Sequence, residues 1–352
     1  MNVLSVVGAR PQFVKAAAVS QRLRPRHDET LVHTGQHYDP ELSRVFFEEL
    51  ELDEPDYNLE VGSGPHARQT AEMMARLERI VTDERPDVVL VYGDTNSTLA
   101  GALVAAKTSP SLAHVEAGLR SGDMRMPEEV NRILTDHCSD LLFAPSRDAA
   151  RTLEREGIAD GVSVPGDVMY DTLLEVRDRL DAVDPDGIDV PDEYVLATVH
   201  RAGNTDDPDR LSEIVDGLCR IPQPVVFPAH PRTVDALHEH GLWARAAEGI
   251  DVVDPAGYLT FVQLVSEADC VATDSGGVQK EAFYLDTPCV TLRETTEWRE
   301  TVEAGWNVLV GADAGRIVDA VYTAADPPSK PDLYGNGNAA ERIVAELERE
   351  VE

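Results

Sequence analysis

Short apolar, β-branched runs recur along the chain, and most are followed by stretches with apolar residues three or four positions apart. In the first half the runs are Val3–Val7, Thr30–Thr34, Val88–Tyr92, Leu112–Val115, Leu141–Ala144 and Val162–Pro165. In the second half they are Tyr194–Thr198, Val225–Pro228, Ile250–Val253, Cys270–Thr273, Cys289–Leu292 and Val308–Val310. Helical spacing marks Gln69–Ile80, Glu128–Cys138, Asp209–Ile221 and Gly315–Ala324. Strands that are apolar on both faces must be covered on both faces, so the pattern predicts parallel sheets between helix layers. The expected fold is α/β, with two doubly wound, Rossmann-like domains. The Asp/Pro-rich stretch Asp181–Asp192, after a helix starting near Asp171, marks the seam between domains 1–180 and 190–332. A last helix, Asn338–Glu350 within 338–352, is expected to cross back onto the first domain. Ligands of such sheets bind beyond the carboxyl ends of the strands, so two units facing one another would enclose a cleft.

Several strand ends carry chemistry. Cys270-Val-Ala-Thr-Asp274-Ser275-Gly276-Gly277-Val-Gln-Lys-Glu281 runs from a short strand through a glycine pair into a helix. Asp274 or Ser275 can cap that helix, and its first amides and dipole favour an anion. Glu281 lies about one turn further on, placed to receive a ribose hydroxyl. The Lys-Ser/Thr of a P-loop is missing, and a plain capped helix has the same appearance. In Val6-Val7-Gly8-Ala9-Arg10-Pro11-Gln12-Phe13-Val14-Lys15 a glycine turn puts Arg10 at a helix start and Lys15 a turn inside it. Gly93-Asp94 and His114-Val115-Glu116 each set an acid at or just past a strand end, and Met126-Pro127-Glu128 opens a helix with another. One helix-start acid is ordinarily a dipole partner, but several carboxylates at one domain mouth can divide acid and base work. His200-Arg201 ends the first strand of the second half, and His230 holds a similar place with weaker support. His238 and His240 point to different faces of one helix, which argues against a metal site there.

Composition narrows the partners. The 352 residues include 65 acidic and 31 basic ones, a formal charge of -34. Lysine occurs only at positions 15, 107, 280 and 330. Such a charge argues against nucleic acid or an anionic membrane as partner. The acids are spread through apolar periodicity, as in a solvated shell over an ordinary core. Cys138, Cys219, Cys270 and Cys289 lie far apart without a CxxC, so reduced thiols in a cytoplasmic protein are expected. No leader is evident, and no apolar run approaches the ~20 residues of a membrane span. Gly62-Ser-Gly64-Pro-His-Ala67 fits the dinucleotide pattern GxGxxA, but it follows only a weak polar run and holds a proline in the turn. A loop is the expected reading, with no nicotinamide site.

Over nearly its full length the chain resembles the non-hydrolysing UDP-N-acetylglucosamine 2-epimerases, which are built like two-domain GT-B glycosyltransferases. The resemblance rests on Gly8-Ala-Arg-Pro-Gln12, Gly35-Gln-His37, Gly93-Asp94, Glu116-Ala-Gly-Leu-Arg120, Pro127-Glu-Glu-Val-Asn-Arg132, His200-Arg201, Asp274-Ser-Gly-Gly277 and Leu292-Arg-Glu-Thr-Thr-Glu297. It implies that Arg10, Lys15, Ser275, Gly276, Gly277 and Glu281 contact UDP, with Phe261 and Arg293 around the uridine. His200 would sit near the diphosphate and, with Asp94, Glu116 and Glu128, among the catalytic residues. It also implies a homodimer and a role in polysaccharide or glycoprotein synthesis. Two departures stand out. Ala202-Gly-Asn204 follows the His-Arg pair where the family carries a glutamate. After His37 stands Tyr-Asp-Pro-Glu-Leu, where bacterial relatives place glutamines that hold a second, activating UDP-sugar.

The implied reaction is reversible conversion of UDP-N-acetylglucosamine to UDP-N-acetylmannosamine, by loss and return of UDP, with neither metal nor nicotinamide. A GT-B glycosyltransferase would share the nucleotide seat but need one base and room for an acceptor. A nucleotide-sugar sensor would have no use for the acids. Deuterium incorporated at C2 separates the epimerase from both.

The acidic shell is a halophilic signature, because its self-repulsion is removed only where the screening length is short, roughly 3 Å at 1 M salt. The expected outcome is loss of structure or activity at low ionic strength. A melting temperature that does not move with salt would refute it.

Overall fold

The computed structural model describes residues 1–36, 47–180, 188, 190–324 and 327–351. The segment His37–Leu42 and most of the Asp181–Asp192 seam lie outside the described residues. The chain divides into two compact units, Met1–Val176 with Asp332–Glu352, and Arg177–Pro331.

The first unit holds a seven-stranded sheet of β1 (Asn2–Val7), β2 (Asp28–His33), β3 (Tyr57–Asn58), β4 (Val88–Tyr92), β5 (Ser111–Val115), β6 (Leu141–Phe143) and β7 (Val162–Ser163). All pairings are parallel, in the order β3-β2-β1-β4-β5-β6-β7. The winding direction therefore reverses between β1 and β4. Every residue of β4 is buried, which is why that strand shows no polar alternation. Leu4, Val6, Val89 and Val91 pack on one face against Met73, Leu77 and Ala100. The short edge strand β3 was not expected from the sequence. Its two residues are exposed and Asp56 precedes them, so no apolar run announces it.

The second unit holds six parallel strands: β8 (Val195–Thr198), β9 (Val225–Pro228), β10 (Asp251–Val253), β11 (Cys270–Thr273), β12 (Cys289–Thr291) and β13 (Asn307–Leu309). Their order is β10-β9-β8-β11-β12-β13, with the reversal between β8 and β11. Alternate residues serve opposite layers. Val195 and Ala197 join the core with Ile214, Leu218 and Ile317, while Tyr194 and Leu196 join the one with Leu264 and Ala282. The four cysteines are free thiols. Burial pushes Cys289 up to about 12 and Cys270 higher still, which makes both poor nucleophiles.

The last helix, Ala339–Val351, packs on the helix Arg10–Leu23. Its first turn is anchored by Asp171, whose Oδ2 accepts from the Ala340 amide at 2.7 Å. Burial raises this carboxyl to about 6, against the opposing bonds from Ala340 and Ala339. The folded chain thus holds that proton more tightly than the unfolded chain, whose carboxyl titrates near 4. The group's contribution to stability is full at low pH and is lost as pH rises from about 4 to 6. Asp171→Asn keeps an acceptor for Ala340 and carries no charge. It should flatten that slope and gain on the order of 2 kcal/mol at pH 7. Urea midpoints in high salt across this range check it, and an unchanged slope in the variant counts against it.

Candidate active site

In each sheet the motifs gather at the carboxyl-end reversal, where open α/β sheets bind ligands. In the first unit Gln12 reaches back from the helix Arg10–Leu23. Its Oε1 accepts from the amides of Gly8 at 2.8 Å and Ala9 at 3.1 Å. Its Nε2 donates to the Tyr92 carbonyl at 2.7 Å and to Thr98 Oγ1 at 3.0 Å. One buried amide therefore joins the turn after β1 to the turn after β4. Above Gly8, Ser97 Oγ meets Thr34 Oγ1 at 2.8 Å and Gln36 Oε1 at 2.7 Å. A Cβ on Gly8 would fall 2.1 Å from Ser97 Oγ, so only glycine fits.

Against the Gly93 turn lie Lys15 and Glu116. Lys15 Nζ donates to Glu116 Oε1 at 2.6 Å, and both side chains are under a tenth exposed. A Cβ on Gly93 would lie 3.2 Å from Lys15 Nζ and 3.5 Å from Glu116 Oε1. Glu116 itself has φ +77°, a left-handed backbone that a non-glycine residue adopts only under constraint. Asp94 is half-buried and receives Arg132 Nη2 on its carboxylate, while Asn131 Nδ2 donates to its carbonyl at 2.9 Å. The two neighbouring glutamates at the start of the helix Pro127–Cys138 differ in role. Glu129 is buried and accepts from Ser121 N at 2.9 Å, Ser121 Oγ at 3.0 Å and Gly122 N at 2.8 Å, closing a loop. Glu128 is half-buried on the same turn. Arg10 is the half-buried first residue of its helix. The GxGxxA segment leads into the helix His66–Glu84, and His66 Nδ1 lies 3.0 Å from Asn96 Nδ2 beside the Asp94 turn.

In the second unit a single carboxylate organises the reversal. Asp274 is fully buried and accepts from the amides of His200 at 3.1 Å and Arg201 at 3.0 Å, and from Asn204 Nδ2 at 3.0 Å. Asn204 Nδ2 also reaches the Leu292 carbonyl at 3.1 Å, so this residue, in the stretch where the family's glutamate is absent, knits the turns together. The expected capping is corrected here. Asp274 spends its carboxylate on the β8 turn, and Ser275 occupies the cap position without a side-chain cap bond. The first amides of the helix Gly276–Tyr284 thus keep their polarity for a ligand, and Ser275, Gly276 and Gly277 are half-exposed.

A Cβ on Gly276 would lie 3.6 Å from Trp298 Nε1 and 3.8 Å from Arg201 Nη2 and Glu297 Oε2. Arg293 is buried and forked onto Glu297 at 3.1 Å through both terminal nitrogens. Lys280, 1% exposed, sets its ammonium 4.0 Å from the Trp298 ring centroid. Glu281 is buried one turn into the helix, and Phe261 packs half-buried against the Leu264 core layer. His200 leaves 45% of its side chain exposed on one side and is walled in on the other. That desolvation, with Arg201 and Arg232 adding to it and Asp274 opposing, lowers its pKa below the ordinary histidine value. At pH 7 the ring is a neutral hydrogen-bonding group. His230 instead caps its own helix, Nδ1 accepting from Arg232 N at 3.1 Å.

The structure thus joins Lys15 to Glu116, and sets Arg201 beside Gly276 with the Arg293–Glu297 pair. Sequence reasoning passed over Gln12, Lys280 and Trp298 as working residues. The scarcity of lysine was the signal available for Lys280. Among the described residues no group of His, Cys, Asp or Glu is arranged to hold a metal, and no helix is long and apolar enough to cross a membrane.

A family profile described as UDP-N-acetylglucosamine 2-epimerase matches residues 21–348. The UDP-2,3-diacetamido-2,3-dideoxy-D-glucuronate 2-epimerase of Pseudomonas aeruginosa is 48% identical, over 99% of each chain. The crystal structure of Methanocaldococcus jannaschii UDP-GlcNAc 2-epimerase with UDP-GlcNAc and UDP superposes with a TM-score of 0.91 at 42% identity, covering 99% of this chain and 100% of that one. A calicheamicin glycosyltransferase, at 13% identity and TM-score 0.53 over 99% of this chain and 94% of its own, shares the fold alone, which is of the GT-B type.

A helix start with this much room accepts one methyl group but not an indole. Gly276→Ala should therefore retain binding of a nucleoside diphosphate, and Gly276→Trp should abolish it. Calorimetric titration in high salt checks both, and diphosphate binding retained by Gly276→Trp would move the seat elsewhere.

Proposed function

Because the chain belongs to the UDP-N-acetylglucosamine 2-epimerase family, we propose that it converts UDP-N-acetylglucosamine reversibly to UDP-N-acetylmannosamine by eliminating and re-adding UDP. The observation that carries this reading is the pairing, in one chain, of an uncapped helix start beside Arg201 with carboxylates at the other sheet's reversal. A hydrogen on C2 of a sugar is not acidic, since no carbonyl adjoins it. Loss of the C1–O bond as a carboxylate takes the C2 proton leaves a C1–C2 double bond and free UDP. Protonation of C2 from the opposite face and return of the UDP oxygen to C1 give the epimer. Charge grows on the departing diphosphate, so amides and cations fixed in advance lower the barrier most. Ser275, Gly276, Gly277, Arg10, Arg293 and neutral His200 are the groups assigned to hold it. Glu281 and Phe261 are assigned to the nucleoside. Asp94, Glu116 and Glu128 are assigned to proton transfer at the two faces. Lys15 gives one of its three N–H donors to Glu116, and the other two are assigned to the diphosphate.

A second substrate is favoured by the 48% full-length identity to an enzyme named for a 2,3-diacetamido glucuronate. Both substrates offer an acetamido group on C2, a hydrogen to remove there and UDP to expel. They differ at C3 and C6. Incubation of each in high-salt deuterium oxide distinguishes them: the true substrate acquires C2 deuterium together with its epimer. Transfer of the sugar without C2 exchange would mean a glycosyltransferase, and free sugar would mean a hydrolysing epimerase. Asp94→Asn and Glu116→Gln should each lower turnover by roughly 10²–10⁴-fold while leaving UDP affinity largely intact. Turnover near the wild-type rate in either variant would remove that residue from the chemistry.

A further inference from the structure

Beneath the Gly93–Asp94 turn lies a buried chain of charged side chains that none of the assignments above uses. Asp136, on the helix Pro127–Cys138, is 1% exposed. Its Oδ1 lies 2.8 Å from His114 Nδ1, and its Oδ2 accepts from Arg120 Nη1 at 2.7 Å and from the Gly118 amide at 3.2 Å. His114, on β5, is fully buried, and its Nε2 lies 2.8 Å from the Gly93 carbonyl. Arg120 turns its other nitrogens to Glu156 at 2.8 and 2.6 Å. On the far side of Gly93 stands the Lys15–Glu116 pair, and Asp94 beyond it holds Arg132.

A carbonyl oxygen only accepts, and so does an ionised carboxylate. Burial works against the charge on Asp136, but the bonds from His114 and Arg120 outweigh it and hold the carboxyl below its ordinary value. Both ring nitrogens of His114 therefore face acceptors, and the pattern closes only with a proton on each. The charges then alternate from Glu156 through Arg120 and Asp136 to His114 and sum to zero.

We propose that Asp136 is a positioning residue: through a doubly protonated His114 it fixes the Gly93–Asp94 turn, and through Gly118 and Arg120 it fixes the loop that carries Glu116. This rests on the reading that Asp94 and Glu116 work on the sugar. Neither Asp136 nor His114 needs to touch substrate. Loss of the carboxylate leaves Arg120 to Glu156 alone and takes the charge partner from His114, and the two turns relax. Misplacement of a reacting group by about 1 Å can cost on the order of 10²-fold in rate.

The test compares wild type, Asp136→Asn and Asp136→Glu in high salt. Expected for Asp136→Asn is an unchanged UDP affinity and KM, a kcat lower by roughly 10–100-fold, and partial recovery in Asp136→Glu. Nitrogen-15 spectra of ring-labelled histidine should show two N–H groups on His114 in wild type and one in Asp136→Asn. Wild-type kcat in a folded Asp136→Asn, a singly protonated His114 in wild type, or a fall in UDP affinity matching the fall in kcat would overturn the proposal. If Asp136→Asn does not fold, Arg120→Gln serves: kcat must fall with UDP affinity kept, and an unchanged kcat overturns it. Absence of C2 exchange by the wild type would instead sink the epimerase reading. The His114 spectrum reports on the charge chain whichever way that falls.

Discussion

Two buried polar side chains, one per sheet, hold open the places where the chain reverses its winding. Adjacent parallel strands that diverge into opposite helix layers leave backbone groups at their ends without ladder partners. An unpaired buried amide or carbonyl is costly, so those ends collapse or are bridged. Gln12 bridges them in the first unit, accepting from two amides and donating to a carbonyl across the gap. Asp274 does so in the second, taking two amides and a side-chain amide on one carboxylate. The β1, β4, β8 and β11 turns that carry residues assigned to the chemistry are each bonded by one of these two. The same physical need recurs with different chemistry, because a glutamine both donates and accepts whereas a carboxylate gathers donors alone.

Much of this was legible in the sequence. Continuous apolar strands such as Val88–Tyr92 announced sheets covered on both faces, and glycines at Gly8 and Gly93 marked turns at strand ends. The Ser275–Gly277 helix start was legible because a strand, a glycine pair and a helical period follow one another without interruption. Its capping was not. Asp274 and Ser275 are both good local caps, and the choice between them was made by Asn204 and the β8 turn, distant in sequence but adjacent in space. Nor was Lys15 legible as the partner of Glu116, 101 residues away. Short edge strands such as Tyr57–Asn58 carry no burial signal at all. What eluded the reading was pairing between distant positions, which a linear pattern does not encode.

The acidic composition bears on the site through what it leaves behind. Of the four lysines, Lys15 and Lys280 are buried at the two reversals, and Lys330 is bonded to Asp286 at 2.8 Å. A surface nearly cleared of ammonium groups leaves arginine as the main cation for exposed pairs, as in Arg232 with Asp206 and Arg210 with Glu294. Concentrated salt screens those pairs strongly and buried ones much less. The buried Lys15–Glu116 pair is thus less sensitive to added salt than the arginine pairs on the surface.

The left-handed backbone of Glu116 carries a consequence for anyone seeking a sturdier protein. Holding a non-glycine residue in that conformation costs about 1 kcal/mol, but glycine there would strand the buried Lys15 ammonium, a loss of roughly 3–5 kcal/mol. A stability screen blind to turnover would therefore keep this carboxylate, although its torsion alone favours glycine. Folding and the proposed chemistry thus ask for the same carboxylate at one strained torsion angle.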